Sequence, residues 1–195
     1  MNVEIWIEVG KRISNPNKAC KFIAELMENC NDKTFNSLIA TDFSNPPKEV
    51  RKQIETFIFK CNKGFETKAV YLEMNGFDIN PDRWFFDFFG YDKLPDNFDD
   101  IYWLSDYQSP VFPDVTLVGL ESIQKLFEVY QEETGHLYLT SEPRNKDLDY
   151  NHELATLMVM VKFCKLIDES IETSIPDVHV FATAHDFDIV YHKCA

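Results

Sequence analysis

The stretch Leu154–Cys164 restricts the fold of this chain more than any other. It reads Leu-Ala-Thr-Leu-Met-Val-Met-Val-Lys-Phe-Cys and is apolar on nearly every side of a helix. Such a helix is stable only when other elements cover it all round. The long helix expected over Asp147–Ser170 therefore belongs at the centre of the fold, and its apolar run, broken by Thr156 and Lys162, is too short to cross a bilayer.

The rest of the chain supplies elements to cover it. Val3, Ile5, Ile7 and Val9 alternate with Glu4, Trp6 and Glu8, a period of two that reads as a half-buried strand. Ser14-Asn15-Pro16 opens a helix whose stripe is Ala19, Phe22, Ile23, Leu26, Met27 and Cys30. A weak strand is expected over Leu38–Phe43. Ser44-Asn45-Pro46-Pro47 opens a second helix, with Val50, Ile54, Phe57, Ile58 and Cys61 at helical spacing and Gly64 at its stop. Thr67–Met74 reads as a strand ending in the turn signal Asn75-Gly76, and Arg83–Tyr91 as its partner, with Trp84, Phe86 and Phe88 on one face and Phe85, Asp87 and Phe89 on the other. A further short strand is expected at Ile101–Leu104 within an irregular stretch, 92–113. Leu120, Ile123, Leu126, Phe127 and Tyr130 mark another helix, closed by Gly135, and Leu137–Leu139 is a short apolar segment. Asp177–Ala184 and Phe187–Tyr191 read as a hairpin.

Strands and helices intermix without a repeating strand–helix–strand rhythm. The expected fold is α+β: a mainly antiparallel sheet packed with about four helices in a single domain spanning 1–195. If the chain has two lobes, their boundary falls in the loop near 92–113, since a loop of that length is functional or mobile in a compact domain.

Charge narrows the function. Against 33 Asp and Glu stand 19 Lys and Arg, a net charge of −14. Nucleic acids and anionic membranes bind through Lys and Arg, so both are disfavoured as partners, whereas a basic protein is attracted and its encounter accelerated. Cys20, Cys30, Cys61, Cys164 and Cys194 form no Cys-x-x-Cys pair and read as free thiols of a reducing compartment. Glu4 and Glu8 interrupt the place where a signal peptide needs an apolar run, and the expected location is cytoplasmic.

No motif of nucleophilic, phosphate-binding or dinucleotide-binding chemistry is present, and no cofactor is expected. His152-Glu153 begins like a zinc-protease motif but meets Thr156 instead of a second His. His179, His185 and His192 cluster near the hairpin, with Cys194 and Asp177 as conceivable co-ligands, in no diagnostic metal spacing. Asp96, Asp99, Asp100, Asp106 and Asp114 lack the calcium-loop pattern. What remains is an acidic and aromatic stretch. Asp92, Asp96, Asp99, Asp100 and Asp106 would steer and pair with a basic partner, and Tyr102, Trp103 and Tyr107 would supply the buried contacts that hold it.

In overall character the chain resembles the immunity proteins that bacteria pair with their toxins, a resemblance carried by its acidity, its lack of catalytic motifs and the run from Tyr91 to Tyr107. It implies a non-catalytic inhibitor that occludes the active or binding surface of a basic, nuclease-type toxin, and it implies no particular fold or oligomeric state. The alternatives are a regulatory or scaffold module with another protein partner, and an enzyme or small-molecule binder with a pocket under the 92–113 loop.

Overall fold

The computed structural model describes residues 3–76, 82–98, 101–135, 145–172, 175 and 177–194. The described residues form five α-helices and one five-stranded sheet: α1 (Val3–Gly10), α2 (Pro16–Asn29), α3 (Pro47–Cys61), β1 (Ala69–Asn75), β2 (Phe85–Tyr91), β3 (Val115–Thr116), α4 (Glu121–Gly135), α5 (Lys146–Ser170), β4 (His179–Ala184) and β5 (Tyr191–Lys193). The fold is α+β. The strand order is β3-β2-β1-β4-β5, antiparallel except where β4 runs parallel to β1 at the centre.

The helix starts follow their caps. The Asn15 side chain accepts the Lys18 amide at 3.1 Å with Pro16 at the first helical position, and Pro47 opens α3 in the same place. In α5, Asn145 caps the amides of Asp147 and Leu148. Every residue from Leu154 to Cys164 is buried, as an all-round apolar helix requires. α2 and α3 pack on α5, which lies on one face of the sheet. Phe86 of β2 meets Phe163 of α5 at 5.4 Å, Phe57 of α3 meets Phe88 of β2 at 5.3 Å, and Val70, Leu72, Met74, Val180, Ala182 and Ala184 line the same side. Each fully buried Leu, Ile, Val or Phe here contributes roughly 1.5–3 kcal/mol.

Three expected strands are something else. Residues 3–9 form α1, because spacings of two and of four coincide in this sequence. Ile5, Val9 and Ile13, four apart, are buried, whereas Val3 and Ile7 are 64% and 53% exposed. Residues 36–40 form a 3-10 helix where a strand over Leu38–Phe43 was expected. Buried Asn151 of α5 accepts the Phe35 amide at 2.9 Å and donates to the Asn36 side chain at 3.1 Å, which ties the start of this turn to α5. Residues 102–105 are likewise a 3-10 helix, with the Tyr91 hydroxyl donating to the Leu104 carbonyl at 2.7 Å.

The C-terminal hairpin is present, but its second strand is Tyr191–Lys193 rather than Phe187–Tyr191. Phe187 leaves the ladder to pack against Trp6 of α1 at 5.0 Å. The apolar segment 137–139 lies outside the described residues.

Candidate functional site

Among the described residues, no α-helix packs on the second face of the sheet. Alternation along β1, β2 and β4 puts Ala69, Tyr71, Tyr91 and Phe181 there, and the segment after β2 folds back over them through Leu94, Trp103 and Leu104. Tyr91 and Trp103 meet edge to face at 4.6 Å, and Trp103 packs on Phe181 at 5.0 Å. Tyr107 leans on Phe89 at 4.8 Å, and Phe98 lies over His192 at 4.9 Å. The Gln108 amide donates to the Gly90 carbonyl, and the Gln108 side chain accepts the Asp92 amide. An otherwise irregular segment is thus held at both ends and at its middle.

The expected site residues divide accordingly. Asp92, Asp96 and Asp106 are exposed, and among the described residues no ion pair involves them. Tyr102 is 84% exposed and Tyr107 50%. Trp103 points inward and serves as the anchor of the loop rather than its outer contact. Asp99 and Asp100 lie outside the described residues. A cavity of about 290 Å³ is lined by Tyr91 of β2 and by Lys93, Leu94, Pro95, Asp96, Asn97, Trp103 and Asp106 of the segment that follows.

Other candidates are dispersed. Asp114 pairs with Arg83, away from the loop carboxylates. His152 stacks on Tyr130 at 3.8 Å within the helical layer. The three hairpin histidines separate: His185 reaches Glu73 at 3.3 Å, while His179 and His192 meet each other at 2.9 Å with Cys194 beside them. Among the described residues, no group of three or more His, Cys, Asp and Glu is arranged to hold a metal ion.

Sequence reasoning missed a second acidic feature of this face. Glu73 and Asp87 stand directly opposite each other on β1 and β2. Tyr71 donates to Glu73 at 3.1 Å and Asn75 to Asp87 at 2.9 Å. Burial pushes the Asp87 carboxyl up, and the charges of Asp114 and Glu73 push it further. The signal was a lone carboxylate inside each of two otherwise apolar strands, Tyr-Leu-Glu-Met and Phe-Phe-Asp-Phe-Phe.

Among the described residues, no helix is long and apolar enough to cross a membrane. Compared with protein-family models, curated proteins and solved structures, the chain matches none.

Proposed function

We propose that the chain is a non-catalytic protein-binding protein of the immunity type, which neutralises a basic toxin by covering its active or binding surface with the 92–107 segment. The observation that carries this reading is Tyr102, 84% exposed on an acidic segment whose other side is anchored by Trp103 and Tyr91. Asp92, Asp96 and Asp106, exposed on the same segment, supply steering and charge pairing, and the exposed ring supplies apolar burial. Anchoring through Trp103 and Tyr91 lowers the ordering penalty of binding for the residues it holds. The expected location is cytoplasmic.

The test compares the wild-type chain with the variant Asp92→Asn/Asp96→Asn/Asp106→Asn/Tyr102→Ala as baits. A single basic protein held in equimolar amount by the wild type, released by salt and lost to the variant, is expected. That protein should arrest growth when expressed alone and be neutralised by co-expression of the chain. Equal retention by both baits would refute the surface, and a retained protein without toxicity would favour a regulatory or scaffold module.

The cavity under the segment supports a second reading, a small-molecule binder. Its volume of about 290 Å³ is at the lower end of ligand sites, which span roughly 300–1,000 Å³. A ligand-induced rise in melting temperature, abolished by Trp103→Ala, would distinguish it.

A further inference from the structure

The edge formed by β4 and β5 brings three reactive side chains into a line. Phe181 pairs with His192 across the antiparallel ladder and Val180 with Lys193, so the side chains of His179, Phe181, His192 and Cys194 all belong to the loop-covered face. The Cys194 sulfur is 3.5 Å from Nε2 of His179, and Nδ1 of His179 is 2.9 Å from Nε2 of His192. The His192 ring lies near-parallel to Phe181, at 4.3 Å and 4°, and to Phe98, at 4.9 Å and 17°. These two ring contacts, with the hydrogen bond to His179, hold the orientation of its ring.

Hydrogen-bond logic gives this line a direction. A single bond between two neutral imidazoles takes one N–H and one lone pair. If Nε2 of His179 accepts the thiol proton, its own proton sits on Nδ1 and is donated to Nε2 of His192. This is the nucleophile–base–orienter arrangement of activated thiols and hydroxyls. Burial lowers the proton affinity of His179, and burial and then the neighbouring His179 lower that of His192, which keeps both rings in the accepting form near neutrality. The other cysteines are set apart by burial, which pushes Cys20 and Cys61 up to about 11 and raises Cys30 and Cys164 as well, whereas Cys194 is exposed.

We infer that Cys194 is a base-assisted nucleophilic thiol, with His179 taking its proton and His192 positioning His179, and that it exchanges with small disulfides. In the step, His179 removes the thiol proton and the Cys194 sulfur attacks one sulfur of the disulfide. A mixed disulfide forms as the original S–S bond breaks, and the departing thiolate takes the proton back from His179. No external oxidant or reductant enters. With a net charge of −14 and Asp96 close to Phe98 in the chain, cationic disulfides are favoured over anionic ones. The inference does not rest on the partner-binding reading.

The test uses cystamine, a dicationic disulfide, and oxidised glutathione, an anionic one, with adduct formation followed by intact mass and peptide mapping. In the native chain Cys194 should be the first thiol modified, roughly tenfold faster than in the urea-unfolded chain or in His179→Gln, with cystamine ahead of glutathione at low salt. His192→Phe keeps the stack but removes the acceptor and should be slow. His192→Gln restores an acceptor and should recover most of the rate, which a merely structural role for His192 would not produce. A native Cys194 no faster than the unfolded one, or His179→Gln as fast as wild type, would overturn the inference. The native-to-unfolded comparison needs no variant to fold.

Discussion

Lys162 carries its ammonium group into the middle of the all-round apolar helix α5. Its side chain is 4% exposed, and its charge is met by Asp42 at 2.7 Å. Lys165 reaches the other oxygen of Asp42 at 2.9 Å. Burial by itself would raise the Asp42 carboxyl, but the two ammonium groups outweigh it and hold the carboxyl below its ordinary 3.8. A lowered carboxyl contributes stability that is fully present above the unfolded value and lost as pH falls through the folded one. Asp42→Ala should therefore destabilise at pH 7 by about 1–3 kcal/mol, less than the ~3–5 kcal/mol of a fully enclosed broken pair because Asp42 is half exposed. Urea melts at pH 7 and pH 3 check this: the difference from wild type should shrink at the lower pH. Asp87 has the opposite sign. Its raised carboxyl opposes folding once ionised, so Asp87→Asn should keep the Asn75 contact and raise stability at pH 7 by up to about 1 kcal/mol. A lower melting temperature for that variant would mean that the Asp87 charge is used by a contact of its own.

At the scale of elements, the joint between the segment before α3 and the approach to α4 is made by backbone groups and the Asn45 side chain. The Ser44 amide donates to the Val118 carbonyl at 2.8 Å, and the Asn45 side chain accepts the Val118 amide and donates to the Thr116 carbonyl. Gly119 closes the joint with φ of 103°, and a Cβ there would stand 2.7 Å from the Ser44 nitrogen. Gly119→Ala should cost about 1–3 kcal/mol from backbone strain alone, with the clash in addition. Gly135, with open space around it at the end of α4, is the control: Gly135→Ala should be neutral or stabilise by up to about 1 kcal/mol. Chemical denaturation of both variants measures the contrast.

The joint was invisible in the sequence because it links positions some seventy residues apart, whereas elements with local signals were legible. Asn15-Pro16 and Pro46-Pro47 marked two helix starts, and apolar residues without periodicity marked α5. α1 was misread because Ile5 and Val9 satisfy both the strand and the helix period, and only packing decides between them. The loop carboxylates were legible as charge. The inward turn of Trp103 and the meeting of His179 with His192 were not, since each depends on which strands become neighbours.

At the scale of the whole molecule, acidity acts on folding and on association with opposite signs. A chain at −14 repels itself when compact, and added salt screens that repulsion, so its stability should rise with ionic strength. Steered association with a basic partner should slow over the same range. Asp92, Asp96 and Asp106 connect the two effects: their carboxylates are exposed, enter no ion pair among the described residues and add to the field. Their combined change to Asn should leave stability within about 0.5 kcal/mol of wild type or raise it, while flattening the salt dependence of association. Thermal melts across a sodium chloride series, on wild type and on this variant, separate the cases. A melting temperature that climbs with salt in the wild type and starts higher in the variant supports a field kept at a cost in stability. A variant that melts several degrees lower would show that these carboxylates hold the loop to the sheet, and their assignment to a partner would fail.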